Sequence, residues 1–196
     1  TPLSITINSP ESLQTFGATP ITVNGIVSSV AASIIVNGVT VDNDNGTFST
    51  SVEIKEGFNT LSVQARLNGI ETGDSITASL DLTPPIITVE SHTQSEVVYS
   101  ETVTVTGLVN DTVRGAIAEG DANVTINGVQ ATVANRSYSV ADLSLVEGDN
   151  TLEIIATDRV GNTESLTLNL TRQIPVGKRI LISGGQGQSA TINTEL

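Results

Sequence analysis

Apolar and polar residues alternate in short runs along this chain. Leu3, Ile5 and Ile7 alternate with Ser4, Thr6 and Asn8, a period of two that predicts a strand with one buried face. The pattern breaks at Pro10 and resumes in Ile21-Thr22-Val23-Asn24-Gly25-Ile26-Val27. A small-residue loop, Ser28 to Ser33, leads to a third strand at Ile34-Ile35-Val36. Asn37-Gly38 fits a type I′ hairpin turn, because both central residues need positive φ and these two tolerate it. Val39 and Val41 return, and the polar run from Asp42 to Gly46 turns again. Phe48, Val52 and Ile54 carry a fifth strand, Leu61, Val63 and Ala65 a sixth, and Ile76, Ala78, Leu80 and Leu82 a seventh. Short strands at this spacing, with turn residues between them, predict a β-sandwich.

The plan is then written a second time. Val36-Asn37-Gly38-Val39 returns as Ile126-Asn127-Gly128-Val129, Phe48 as Tyr138, and Glu56-Gly57-Phe58-Asn59-Thr60-Leu61 as Glu147-Gly148-Asp149-Asn150-Thr151-Leu152. The offset is 90 residues at the Asn-Gly pair and 91 at the Glu-Gly pair. Tandem self-similarity at that period means two copies of one small domain. Strands are expected near 86–91, 102–109, 122–127, 129–133, 137–146, 150–157 and 163–171. Pro84-Pro85 marks a short, stiff boundary, since proline fixes φ and keeps the chain extended. The domains read as 1–83 and 84–172, with 173–196 as a tail or the start of a further domain, the second being favoured.

The copies differ in one place. Gly25 precedes the first Asn-Gly by 12 residues, whereas Gly107 precedes the second by 20. An eight-residue insertion therefore lies between the second and third strands of the second copy, within Asn110 to Asp121.

Composition sharpens the picture. Aromatics make up only 3% of the chain against 38% hydrophobic residues, so Val, Ile and Leu must fill the cores. Eight Lys plus Arg against 21 Asp plus Glu give a net charge of −13. That balance argues against phosphate-backbone binding and equally against an anionic membrane surface. No apolar run approaches a membrane span. There is no cysteine, hence no disulfide framework. The chain opens at Thr1 without methionine or signal peptide and reads as a piece excised from a longer protein.

The two repeated runs resemble the bacterial immunoglobulin-like modules of large surface and secreted proteins. The second copy adds Ala156-Thr157-Asp158-Arg159-Val160-Gly161-Asn162-Thr163, similar to that family's closing turn; the first copy's counterpart, Ala65 to Gly69, is degenerate. A similar module accompanies carbohydrate-active enzymes, such as glucodextranase domain B. The resemblance implies an all-β fold, two tandem immunoglobulin-like β-sandwiches of about seven strands each, and an extracellular bacterial location. It supplies no catalytic residues. The tail from Ile182 to Leu196 resembles the lead-in to a further, invasin-like domain.

The candidate chemistry is sparse. His92 is the only histidine and reads as a solvated loop residue, so neither a Ser/His/Asp arrangement nor a transition-metal site is expected. Asp42-Asn43-Asp44-Asn45-Gly46 offers closely spaced oxygens but lies where a hairpin turn is required and lacks a distal glutamate. Lys55 alternates away from the core, and no lysine lies between Pro85 and Val176, which argues against Lys–Asn crosslinks. Topology supplies a sharper candidate. In an immunoglobulin-like sandwich the loops after the second strand and after the sixth lie at the end where the chain enters. In the second module that end faces the first module. Asp81 of the linker, Asp111, Glu119 and Asp121 of the insertion and Asp158 of the closing turn could gather there. Several carboxylates in one place repel, and Ca²⁺ would relieve the repulsion while stiffening the joint.

The expectation is therefore a non-catalytic structural or adhesive segment with no cofactor other than calcium at that joint. Its partners would be neighbouring domains of the parent chain and a host or cell-surface protein or glycan, with no nucleic acid and no membrane insertion, in a monomer. The alternative is an accessory or glycan-binding module of an extracellular carbohydrate-active enzyme.

Overall fold

A computed structural model describes residues 2–111 and 122–175, together with the backbone of two strands at 179–184 and 188–193. The first module contains β1 (Ile5–Ser9), β2 (Thr15–Phe16), β3 (Ile21–Val27), β4 (Ser33–Val36), β5 (Val39–Val41), β6 (Thr47–Val52), β7 (Gly57–Leu67) and β8 (Ile70–Leu80). The second contains β9 (Ile86–Val89), β10 (Glu96–Val98), β11 (Thr102–Asn110), β12 (Ala122–Ile126), β13 (Val129–Gln130), β14 (Thr132–Ala134), β15 (Ser137–Ser144), β16 (Gly148–Asp158) and β17 (Thr163–Arg172). Each module is a sandwich. In the first, a sheet in the order β1-β3-β6 faces one in the order β2-β8-β7-β4-β5. In the second, β14-β15-β11-β9 faces β10-β17-β16-β12-β13.

The alternating positions fill the two cores. Val23, Ile34, Val36, Leu61, Val63, Ala65 and Leu80 are buried in the first, and Val105, Val109, Val124, Ile126, Ile154 and Leu170 in the second. Both Asn-Gly turns carry positive φ at both residues, 44° and 84° in the first and 48° and 80° in the second, as a type I′ turn requires. Each turn asparagine also accepts a backbone N–H from the neighbouring long strand, Ser62 to Asn37 and Glu153 to Asn127, both at 2.8 Å. In each Glu-Gly corner the asparagine two residues after the glycine does the fastening. Asn59 bonds the backbone of Lys55 and Gly57, and Asn150 that of Val146 and Gly148.

The repeated aromatic position also has a structural cause. Phe48 sits opposite Gly25 and Tyr138 opposite Gly107. A Cβ on Gly107 would collide with the Thr88 carbonyl and the Tyr138 ring, so the bare glycine lets strand and ring meet. The Tyr138 hydroxyl donates to the Thr88 carbonyl at 2.9 Å.

Several expectations need correction. Two short strands, β2 and β10, run parallel to β8 and β17 and were not visible in the alternation. The expected strand at 129–133 is divided: β13 stays with β12, and after Ala131 the chain crosses to the other sheet as β14. Leu82 is not a core residue of the seventh strand; it is half exposed, while Ala78, Ser79, Leu80 and Asp81 are all buried. Strict alternation fails there because β2 covers the strand end on one side and the second module meets it on the other. His92 is not freely solvated; its side chain is 15% exposed and its Nδ1 lies 3.4 Å from Glu96. The tail needs no correction: β18 (Arg179–Gly184) and β19 (Gln188–Asn193) pair as an antiparallel hairpin.

Candidate metal centre at the module joint

Three of the five acidic residues singled out by topology meet where the chain crosses from one module to the next. Asp81 immediately follows β8, Asp111 immediately follows β11, and Asp158 is the last residue of β16. Each is brought there by the strand that ends beside it. Carboxylate oxygens of Asp81, Asp111 and Asp158 all lie within 4.8 Å of one another. The three residues are 3%, 5% and 6% exposed, unusually deep for aspartate. Glu119 and Asp121, the other two candidates, lie outside the described residues. Asp42 and Asp44 are exposed. Asn43 between them fastens the turn instead, bonding the Ser29 and Ala32 carbonyls and the Gly46 N–H.

Asp158 is held by its own turn. Its Oδ1 accepts the N–H groups of Val160, Gly161 and Asn162 at 2.9, 2.7 and 2.8 Å. Gly161 makes that tight turn possible at φ 100°. The Asn162 amide donates to Asp158 Oδ2 at 2.8 Å and to the Asp81 backbone carbonyl at 2.9 Å, so one side chain ties both modules. A second tie runs from the first module to the linker. Glu56 accepts the Leu82 N–H and the Thr83 hydroxyl. The modules also touch at Gly17, where a Cβ would come within 2.9 Å of the Val160 carbonyl oxygen.

The Asp81 carboxyl is pushed above the ordinary carboxylate range, first by burial and then by the charges of Asp111, Asp158 and Glu56, against a backbone N–H bond from Thr83. Among the described residues no ion pair compensates Asp81 or Asp158. Hard cations such as Ca²⁺ take oxygen ligands at about 2.3–2.6 Å. Two oxygens on one such ion can be no further apart than about twice that distance, which the spacing here satisfies. Asn162 and Glu56 were not visible as joint residues in the sequence. The only signal for Asp81 was an acid between two leucines at a strand end.

Comparison with known proteins follows the same lines. Residues 85–174 match the family model described as glucodextranase, domain B. The chain is 36% identical over 120 residues, 60% of its length, to bacillopeptidase F of Bacillus subtilis (strain 168). That match spans 8% of bacillopeptidase F. Fibronectin(III)-like modules of Clostridium thermocellum CbhA superpose with a TM-score of 0.50 at 15% identity, over 86% of this chain and 95% of theirs. The I-band fragment I67–I69 of titin superposes with a TM-score of 0.58 at 12% identity, over 89% of this chain and 67% of that one. The solved structures share the fold. The chain is all-β, two tandem immunoglobulin-like sandwiches.

Proposed function

We propose that these tandem immunoglobulin-like domains, the second matching the glucodextranase domain B family, form a non-catalytic extracellular segment whose joint is locked by Ca²⁺. Asp81, Asp111 and Asp158 would supply the ligands the joint holds ready, and water the remainder of a six- to eight-oxygen shell. The observation that carries this reading is the meeting of three buried carboxylates from both sides of a module boundary. Without a cation they repel across the joint; with one they fasten it. Such a joint turns two small domains into one stiff rod, useful for holding neighbouring domains of a parent chain apart. An extracellular setting is supported by the family matched at 85–174. Fluorescence energy transfer between dyes on the two modules tests the lock. Calcium is expected to narrow the distance distribution and chelator to broaden it; identical distributions would refute it.

The second reading, an accessory module that binds glycan, is favoured by the glucodextranase match. Its weakness is chemical. The strongly exposed aromatics among the described residues, Phe58 and Tyr99, sit on separate modules and build no stacking platform. Specific signals on a glycan array would promote it over the spacer.

A further inference from the structure

A cleft of about 310 Å³ opens between the modules, walled by residues 11–15 of the first and by Arg159 and Val160 of the second. Clefts between domains are favoured ligand sites, and three observations give this one a chemistry.

The first comes from the duplication. Leu13 donates its N–H to the Thr77 carbonyl at 2.6 Å, and Ser95 donates in the same way to Asn169 at 2.8 Å, both with left-handed φ. The two loops are therefore the same turn. In the second copy Gln94 folds over it and accepts the Asn169 N–H at 3.1 Å. In the first copy the corresponding residue is the shorter Ser12, which lines the cleft. Leu13 stands where the second copy has Ser95, and it is 66% exposed.

The second is charge. Among the described residues Arg159 makes no ion pair, in a chain with 21 acidic residues and eight basic ones. Its neighbour Asp158 is turned inward and occupied by the Val160, Gly161 and Asn162 N–H groups. The third is the opposite wall. Among the described residues Glu11 takes part in no ion pair either, leaving an acceptor for hydroxyl groups and a repulsive wall for a second anion.

We propose that this cleft binds a small monocarboxylate on a polyhydroxylated body, of which a sugar acid is the simplest form. Arg159 takes the carboxylate through paired N–H bonds. Ser12 and Glu11 meet hydroxyls, while Leu13 and Val160 pack against the carbon face. None of the three metal-site carboxylates lines the cleft, but Arg159 and Val160 belong to the turn that Asp158 fastens, so titration with and without calcium separates the two sites.

The test is a titration of the ¹⁵N-labelled full chain with D-glucuronate, followed by amide shifts, in calcium and again in chelator. Saturable shifts at Ser12, Leu13, Val160 and Gly161 in either condition support the site. Neutral glucose and the dicarboxylate galactarate are expected to bind at least about tenfold more weakly, the size of one charge-assisted bond. Arg159→Gln, on an exposed side chain, is expected to keep the spectrum elsewhere and lose the glucuronate response. The proposal is overturned by the absence of glucuronate shifts at these amides, by an equal response to glucose, or by an R159Q variant that responds like the parent.

Discussion

Replacing Asp81 by asparagine should change the sign of its effect with the cation. The substitution keeps the shape and the Oδ1 that accepts the Thr83 N–H at 3.2 Å, and removes one negative charge. Two unit charges 4.8 Å apart at an effective dielectric near 20 repel by about 3.5 kcal/mol. The oxygens lie no further apart than that and Asp81 faces two such charges, so its neutralisation relieves on the order of 7 kcal/mol before screening. The backbone N–H groups donated to Asp158 and Asp81 offset part of that, and solvent at the joint screens more. A net gain of about 1–3 kcal/mol in chelator is the working expectation. In calcium the order reverses. The parent gains about 2.7 kcal/mol when the ion is at a hundred times its dissociation constant, whereas D81N has lost a ligand and gains little. Urea denaturation of both proteins, in chelator and in calcium, reads the two differences. Equal destabilisation of D81N in both conditions would sink the reasoning and make Asp81 an ordinary hydrogen-bonding residue.

Other outcomes follow from the same geometry. Gly17→Leu places a side chain against the Val160 carbonyl; it should loosen the joint and weaken calcium binding several-fold without touching a ligand, as read by titration of the variant. Asn162→Ala removes a bond to the Asp81 carbonyl and one to the Asp158 carboxylate, and should cost about 2–4 kcal/mol in urea denaturation. The Tyr138 phenol is pushed up to about 12 from 10.0, first by burial and then by the Glu90 charge. The stabilisation from keeping it neutral is full below pH 10 and is lost as pH rises through about 12. Alkaline melting curves of the second module should fall in that window, and Tyr138→Phe should remove the fall.

The long strands were legible because Leu61, Val63 and Ala65 alternate cleanly, and the turns because Asn-Gly tolerates positive φ. The strands β2 and β10 were not. Two or three residues are too few to show a period, and their pairing is fixed by partners more than 60 residues away. The burial of Asp81 was hidden by the same alternation, which assigned the inward place to Leu82. Only the covering of the strand end by β2 and by the second module inverts that assignment. The meeting of Asp81, Asp111 and Asp158 could be anticipated from topology, since strand ends determine where such residues lie. Asn162 could not, because its bond to the Asp81 carbonyl depends on how two domains dock.

Isothermal titration of chelator-stripped protein with Ca²⁺ tests the central claim most directly. The account predicts binding of one ion per chain, with a dissociation constant on the order of 10⁻⁴–10⁻³ M, as in extracellular calcium modules. No binding heat up to about ten times that range, together with an unchanged melting temperature, would contradict it.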